Sequence, residues 1–334
     1  MGKQICIPRP WVTALASAAF VLSWSSGFLG AKVGTGQAPV VTLLLWRFVV
    51  VAAVLVAALG LARLLRPRRR TASPAARVGT APGLDGPRAV AHHVVVGLLS
   101  QLGYVLPVYG AIALGVSTGT TSLVDAVQPV LVATLVGPLL GQHVRALQWA
   151  GLATAFAGVA ALVAADLRVT TAPPWAYALP AAAVASLVAA TFLERRRPAD
   201  LAPAPMLAVH AVAALACLTV IALVTGTATP PPDAAFWAST VLLALVPSLV
   251  AYALYWFLLR RVDVTTLNAL LFLVVPTTTL AGAALFGEPL SPAVAAGLVL
   301  SGLGVAAVVH GEARGRGRPR AGEHRGDDDG PQRP

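Results

Sequence analysis

Charge is what this sequence has least of. Asp, Glu, Lys and Arg make up 11% of its 334 residues, against about 25% in soluble domains. A water-soluble globule of this size is excluded, because it would lack the charge to cover its surface. Cysteine is almost missing too. Cys6 and Cys217 stand far apart, which indicates neither a disulfide framework nor a metal site. No P-loop sequence is present, which argues against direct ATP coupling. An intramembrane enzyme would need a His-Glu-His metal pattern or a Ser/His/Asp set at one depth, and neither is found. No cofactor is expected.

What is there is aliphatic. Apolar residues are 57% of the chain, gathered in runs long enough to cross a ~30 Å hydrocarbon core as helices of roughly 20 residues. The runs do not alternate with polar positions, which excludes a β-barrel. Helices satisfy their own backbone where lipid offers no partner. The prediction is an all-α integral membrane fold of ten transmembrane helices. They fall at about residues 12–33, 38–61, 89–113, 117–140, 147–165, 174–193, 205–225, 235–258, 264–286 and 292–310. Turn chemistry fills gaps between them, as in Gly34-Thr35-Gly36 and the three prolines between Thr229 and Asp233. The first run follows Lys3 and Arg9 as a signal peptide would. It has no clear small-residue cleavage site, so it is read as a retained span.

Ten spans place alternate connections on alternate sides. All 24 Lys and Arg except Lys32, Arg47 and Arg168 fall on one side. The positive-inside rule makes that side cytoplasmic, so both termini are cytoplasmic in a multi-pass plasma-membrane protein. The net charge of +11 is thereby a matter of topology. Nucleic-acid binding is a poor alternative, since the basic residues are split among short loops. Segment 1–11 is the cytoplasmic amino terminus. Loop 66–88 and tail 311–334, rich in Arg, Gly and Pro, are expected to be disordered.

The halves resemble each other. Gly141-Gln142 matches Gly287-Glu288 at an offset of 146 residues, 287 less 141. The same offset carries Gly151-Leu152 onto Gly297-Leu298, and the block from Gly158 to Ala161 onto that from Gly304 to Ala307. With one gap, Pro129 falls on Pro276. Five helices make one unit, 12–165 and then 174–310. Five is odd, so the second unit enters the membrane from the opposite side. Such inverted repeats are common in secondary transporters, with the substrate site near the midplane between them.

Several short motifs then occur in a telling order. They are Trp24-Ser25-Ser26-Gly27-Phe28 with Lys32, Leu45-Trp46-Arg47-Phe48, Pro129, Ala251-Tyr252 through Tyr255-Trp256, Pro276, and Gly287-Glu288-Pro289-Leu290. In these the chain resembles the EamA-type exporters of the drug/metabolite transporter (DMT) superfamily over about residues 12–310. The resemblance implies two five-helix halves, a cavity lined by spans 1, 3, 4, 6, 8 and 9, and efflux of small metabolites or drugs, often in exchange for protons. One departure is Gln142, where the family has Glu.

Ionisable residues inside spans are costly and face a protein interior or cavity. Thr118, Thr121, Ser122, Asp125 and Gln128 share one helical face of span 4. Pro129 removes the N–H that would bond the Asp125 carbonyl. That face offers a protonatable carboxyl either to a cavity or to a structural partner. Arg47, mid-span, is read as a structural charge that pairs with Asp125 or snorkels, with an anionic substrate group as the remaining choice. Lys32 is read as an interfacial anchor. Ser248, Tyr252 and Tyr255 share a face of span 8, and Trp24, Gln101, Tyr104 and Asn268 bring further polar tips to depth. Together these form the expected cavity set: Trp24, Gln101, Tyr104, Thr121, Ser122, Asp125, Gln128, Ser248, Tyr252, Tyr255 and Asn268. Asp125 is the proton-coupling candidate, and Pro129 and Pro276 are expected flex points. His210 is expected to be a hydrogen-bonded packing residue. The function expected is a secondary transporter for a small organic molecule, with protons as a possible second partner. A non-transporting membrane sensor or scaffold and an intramembrane enzyme are the alternatives.

Overall fold

Long apolar runs become long helices. The computed structural model describes residues 10–65, 87–140, 146–196, 203–262 and 264–316. These comprise α1 (Pro10–Thr35), α2 (Val40–Leu65), and α3, which joins Pro87–Gly97, a π turn Leu98–Leu102 and Gly103–Ala113. Next come α4 in two pieces (Thr118–Ala126, Gln128–Leu140), α5 (Ala146–Asp166), and α6, a 3-10 turn Pro174–Tyr177 leading into Ala178–Arg196. The rest are α7 (Pro203–Thr225), α8 (Ala234–Leu245, a π turn Val246–Val250, Ala251–Leu259), α9 (Val264–Phe286) and α10 (Pro292–Arg316). Pro10, Pro87, Pro203 and Pro292 each open a helix, where the missing N–H would have no intrahelical partner anyway.

Seven of these helices are long and apolar enough to cross a membrane, namely α1, α2, α3, α5, α6, α7 and α8. Helix α4 is interrupted at Val127, and α9 and α10 contribute the shorter apolar stretches Leu270–Phe286 and Pro292–Ala307. No strand occurs among the described residues. The chain is thus an all-helical, multi-pass membrane protein. Helix α10 runs to Arg316, so the tail expected from Gly311 begins as helix, as does the end of loop 66–88 at Pro87. Residues 66–86, 317–334 and the Gly141-Gln142 motif lie outside the described residues.

The main core lies among α1, α2, α3, α7 and α8, where Phe20, Leu43, Leu44, Leu218, Phe236 and Leu243 are fully buried. Apolar side chains on the outer surface, such as Leu22, Val56 and Leu223, face where lipid would lie. Helix α5 packs on α10 through glycine. A Cβ on Gly304 would lie 2.5 Å from the Gly151 carbonyl oxygen, and one on Gly297 would lie 2.9 Å from the Gly158 carbonyl oxygen. Between these contacts Ser301 Oγ donates to the Ala155 carbonyl at 3.0 Å. Small residues let the two backbones touch.

The π turns have identifiable causes. Pro247 has no N–H to continue the α ladder, and Ser248 Oγ donates to the Leu243 carbonyl at 2.9 Å. In α3 the Leu99 carbonyl receives Ser186 Oγ from α6 at 3.0 Å. Such turns cluster at functional sites.

One end of the bundle is tied by two carboxylates. Gly287, at φ +68°, turns the chain out of α9 in the left-handed region and presents Glu288. Its carboxylate accepts Lys32 Nζ at 2.6 Å, Thr118 Oγ1 at 2.8 Å and the Thr118 N–H at 3.0 Å. A negative charge at the start of α4 also complements the helix dipole. Nearby, Asp166 Oδ2 accepts the Ser117 N–H at 3.2 Å and the Tyr177 hydroxyl at 2.9 Å. Lys32, expected as an interfacial anchor, is therefore an ion-pair partner. Its side chain is 33% exposed and that of Glu288 only 9%. Glu288→Ala should cost about 2 kcal/mol, because it strips charged hydrogen bonds from both Lys32 and Thr118. Lys32→Ala should cost under about 1 kcal/mol. Melting temperatures in detergent check the order.

Candidate functional site

Two adjoining cavities open inside the bundle, and they share Trp24 of α1 and Tyr252 of α8 as walls. Their rings stand 6.0 Å apart. The first cavity, about 60 Å³, is lined by Arg47, Gln101, Tyr104, Tyr109, Ser248 and the apolar Phe28, Val105 and Val108, among others. The second, about 220 Å³, is lined by Ser122, Asp125, Gln128, Pro129, Tyr255, Leu271 and neighbouring residues.

Asp125 is the last residue but one in the first piece of α4, Thr118–Ala126. Its Oδ2 accepts the Tyr104 hydroxyl at 3.0 Å, and its Oδ1 is buried with no hydrogen-bond partner among the described residues. Tyr104 lines the first cavity and so joins the two. Gln101 Nε2 reaches the Tyr252 hydroxyl at 3.4 Å, and Gln128 Nε2 reaches Thr191 Oγ1 of α6 at the same distance.

The polar face expected on span 4 divides. Ser122, Asp125 and Gln128 line the larger cavity. Thr118 is held by Glu288, and Thr121 is fully buried away from both cavities, its hydroxyl given to the Ser117 carbonyl at 2.9 Å. The Asn268 side chain lies outside the described residues. Trp24, Gln101, Tyr104, Ser248, Tyr252 and Tyr255 all reach a cavity wall. The matched prolines behave differently. Helix α4 breaks at Val127, whose N–H bonds the Val124 carbonyl at 3.3 Å, while α9 continues unbroken through Pro276. The His210 Nε2 is buried without a partner among the described residues, against the expectation of a hydrogen-bonded histidine.

The expected pairing of Arg47 with Asp125 is not observed. Arg47 is 7% exposed. Its Nε and Nη2 donate to Ser248 Oγ at 3.1 and 2.9 Å, and Nη1 donates to the Tyr109 hydroxyl at 2.6 Å. Tyr109 was not among the expected residues. It lies in an apolar stretch of α3, and nothing in its local sequence marks it as a partner of α2.

A multi-pass helical bundle with buried, polar, aromatic-walled cavities has the form of a membrane transporter. The EamA-like transporter family matches residues 11–164 and 174–310, and the chain belongs to it. A protein described as a probable terminal-alkyne amino-acid exporter, from Streptantibioticus cattleyicolor, is 30% identical over 313 residues, covering 90% of this chain and 93% of that one. A crystal structure 24% identical in sequence superposes with a TM-score of 0.60, covering 89% of this chain and 96% of its own, and so shares the fold. The chain is accordingly an EamA-type membrane transporter of the DMT superfamily.

Proposed function

We propose that this protein is a secondary transporter that exports a small organic molecule across the cell membrane by alternating access, with a proton carried on Asp125. The observation that carries the reading is Asp125 itself, a buried carboxyl with one unpartnered oxygen in the wall of a cavity between helices of both halves. An acid–base group so placed can hold a proton while the cavity faces one side and release it on the other.

The arrangement of ten spans as two inverted five-helix units has support in the packing. Exchanging each helix with the one five places along turns the α3–α6 contact into α8–α1, α2–α8 into α7–α3, and α4–α6 into α9–α1, and all of these occur. The pairs α5–α10 and α2–α7 map onto themselves. Ala155 and Ser301, bonded to each other, are related by the repeat offset itself. The π turns fall in α3 and α8, the third helix of each unit. With both termini cytoplasmic, the Lys32–Glu288–Thr118 cluster lies at the outer end.

The test is exchange in proteoliposomes. The amino-acid exporter among the relatives makes small apolar amino acids the first compounds to try. Vesicles holding the protein should exchange at least one labelled compound far faster than protein-free vesicles. Absence of exchange across amino acids and amphipathic drugs would remove the transport reading.

A further inference from the structure

Arg47 is a cation about two turns into a helix long and apolar enough to span a membrane, and its surroundings do not balance it. Of the five N–H donors of a guanidinium, three are engaged, all by neutral hydroxyls of Ser248 and Tyr109. Two ring faces complete its contacts, Tyr109 at 5.3 Å and Phe48 at 5.8 Å. No carboxylate lies within ion-pair distance of it among the described residues. A buried charge is ordinarily paired, since its desolvation is costly. Snorkelling does not account for it either, because the guanidinium bonds inward to α3 and α8 rather than reaching a helix end.

What the guanidinium faces is the smaller cavity. Ser248 gives its own proton to the Leu243 carbonyl, so towards Arg47 it acts as an acceptor. The Tyr109 hydroxyl accepts from Arg47 and gives its own proton to no group among the described residues. Two guanidinium N–H groups and one phenolic O–H, all donors, are therefore left without a partner among the described residues, on two side chains that line the cavity. Its volume of about 60 Å³ would hold roughly four waters at about 15 Å³ each. That is room for a carboxylate and the carbon bearing it. The remainder of such a molecule would extend past Trp24 and Tyr252 into the larger cavity.

We propose that Arg47, assisted by the Tyr109 hydroxyl, anchors a carboxylate of the transported compound, whose body is apolar. This rests on the transport reading and narrows it to carboxylic acids. A planar fork suits a carboxylate bidentately, in a way that a lysine ammonium does not.

Alanine, leucine and phenylalanine, each compared with its primary amide and with the amine left by removing the carboxyl group, supply the test. Binding is read by quenching of tryptophan fluorescence in detergent, and transport by counterflow in vesicles. At least one acid should bind roughly tenfold or more tightly than its amide and amine, the size of a charge-assisted hydrogen bond. Arg47→Gln should bring the three within about twofold. Arg47→Lys should weaken the acid while keeping it ahead, and Tyr109→Phe should weaken the acid alone. Those two variants decide the matter should the Gln variant not fold. Equal binding of acid, amide and amine, no binding by any, or a preference that survives in Arg47→Gln would each overturn the anchor. Acid-selective binding without counterflow would keep the anchor and remove transport. Counterflow without acid preference would do the reverse.

Discussion

Asp125→Asn should abolish accumulation driven by a pH gradient and leave exchange of substrate for substrate intact. Asn keeps the shape of the side chain and an oxygen to accept the Tyr104 hydroxyl, now 3.0 Å from Oδ2. What it loses is the ability to carry a proton. If each transport cycle moves a proton on this group, the gradient has nothing left to act on, and accumulation falls to the level of protein-free vesicles. Exchange down a substrate gradient needs only the cavity and its alternating access, so it persists. Vesicles with an imposed pH difference, assayed beside counterflow in the same preparation, separate the two. Undiminished pH-driven accumulation in the variant would remove Asp125 from the coupling role.

The second large effect lies away from the cavities. Gly304→Val should destabilise the protein by about 3 kcal/mol or more, at or above the upper end of overpacking costs. The new Cβ would lie 2.5 Å from the Gly151 carbonyl oxygen and 2.8 Å from Ala155 Cα, with the Ala155 nitrogen also in contact. All three are backbone atoms, so no rotamer change relieves the overlap and α5 must separate from α10. Gly60→Ala is the control. Nothing lies within 4 Å of a Cβ there, and the change should stay within about 1 kcal/mol, the ordinary Gly-to-Ala helix difference. Similar melting temperatures for the two variants would show that the glycine seam does not hold the bundle.

The helices were legible because their signal is local. A run of Leu, Val and Ala states its length without reference to the rest of the chain, and expected and observed ends differ mostly by a few residues. Part of the cavity was legible for a related reason. Polar atoms within an apolar run must face something other than lipid, which drew attention to Asp125, Gln101, Tyr104 and Tyr252. What such reasoning could not supply is which neighbour each one meets. Thr121 shares the helical face of Asp125, yet its hydroxyl is used by its own helix. Sequence leaves Arg47 to pair with Asp125, to snorkel or to meet an anionic group, whereas the fold brings it Ser248 from 201 positions away and Tyr109 from 62. Lys32 and Glu288 are 256 positions apart, and each alone looks like an ordinary helix-end charge. The π turns carry no periodic signal, since one is shaped by a proline and the other by a serine on a different helix.

The interruption at Val127 has a mechanical meaning. On one side of it, the short first piece of α4 is pinned at its far end by Glu288. On the other, the longer second piece is tied to α6 through Gln128 and Thr191. An unbroken helix behaves as a beam and passes a push at one point along its whole length. Here the ladder of that beam is weakened, since Pro129 offers the Asp125 carbonyl no N–H, and Asp125 sits two residues from Val127. Under the proposed proton coupling, the change of charge on Asp125 would fall beside this weakened turn, between one piece held by Glu288 and another held by α6.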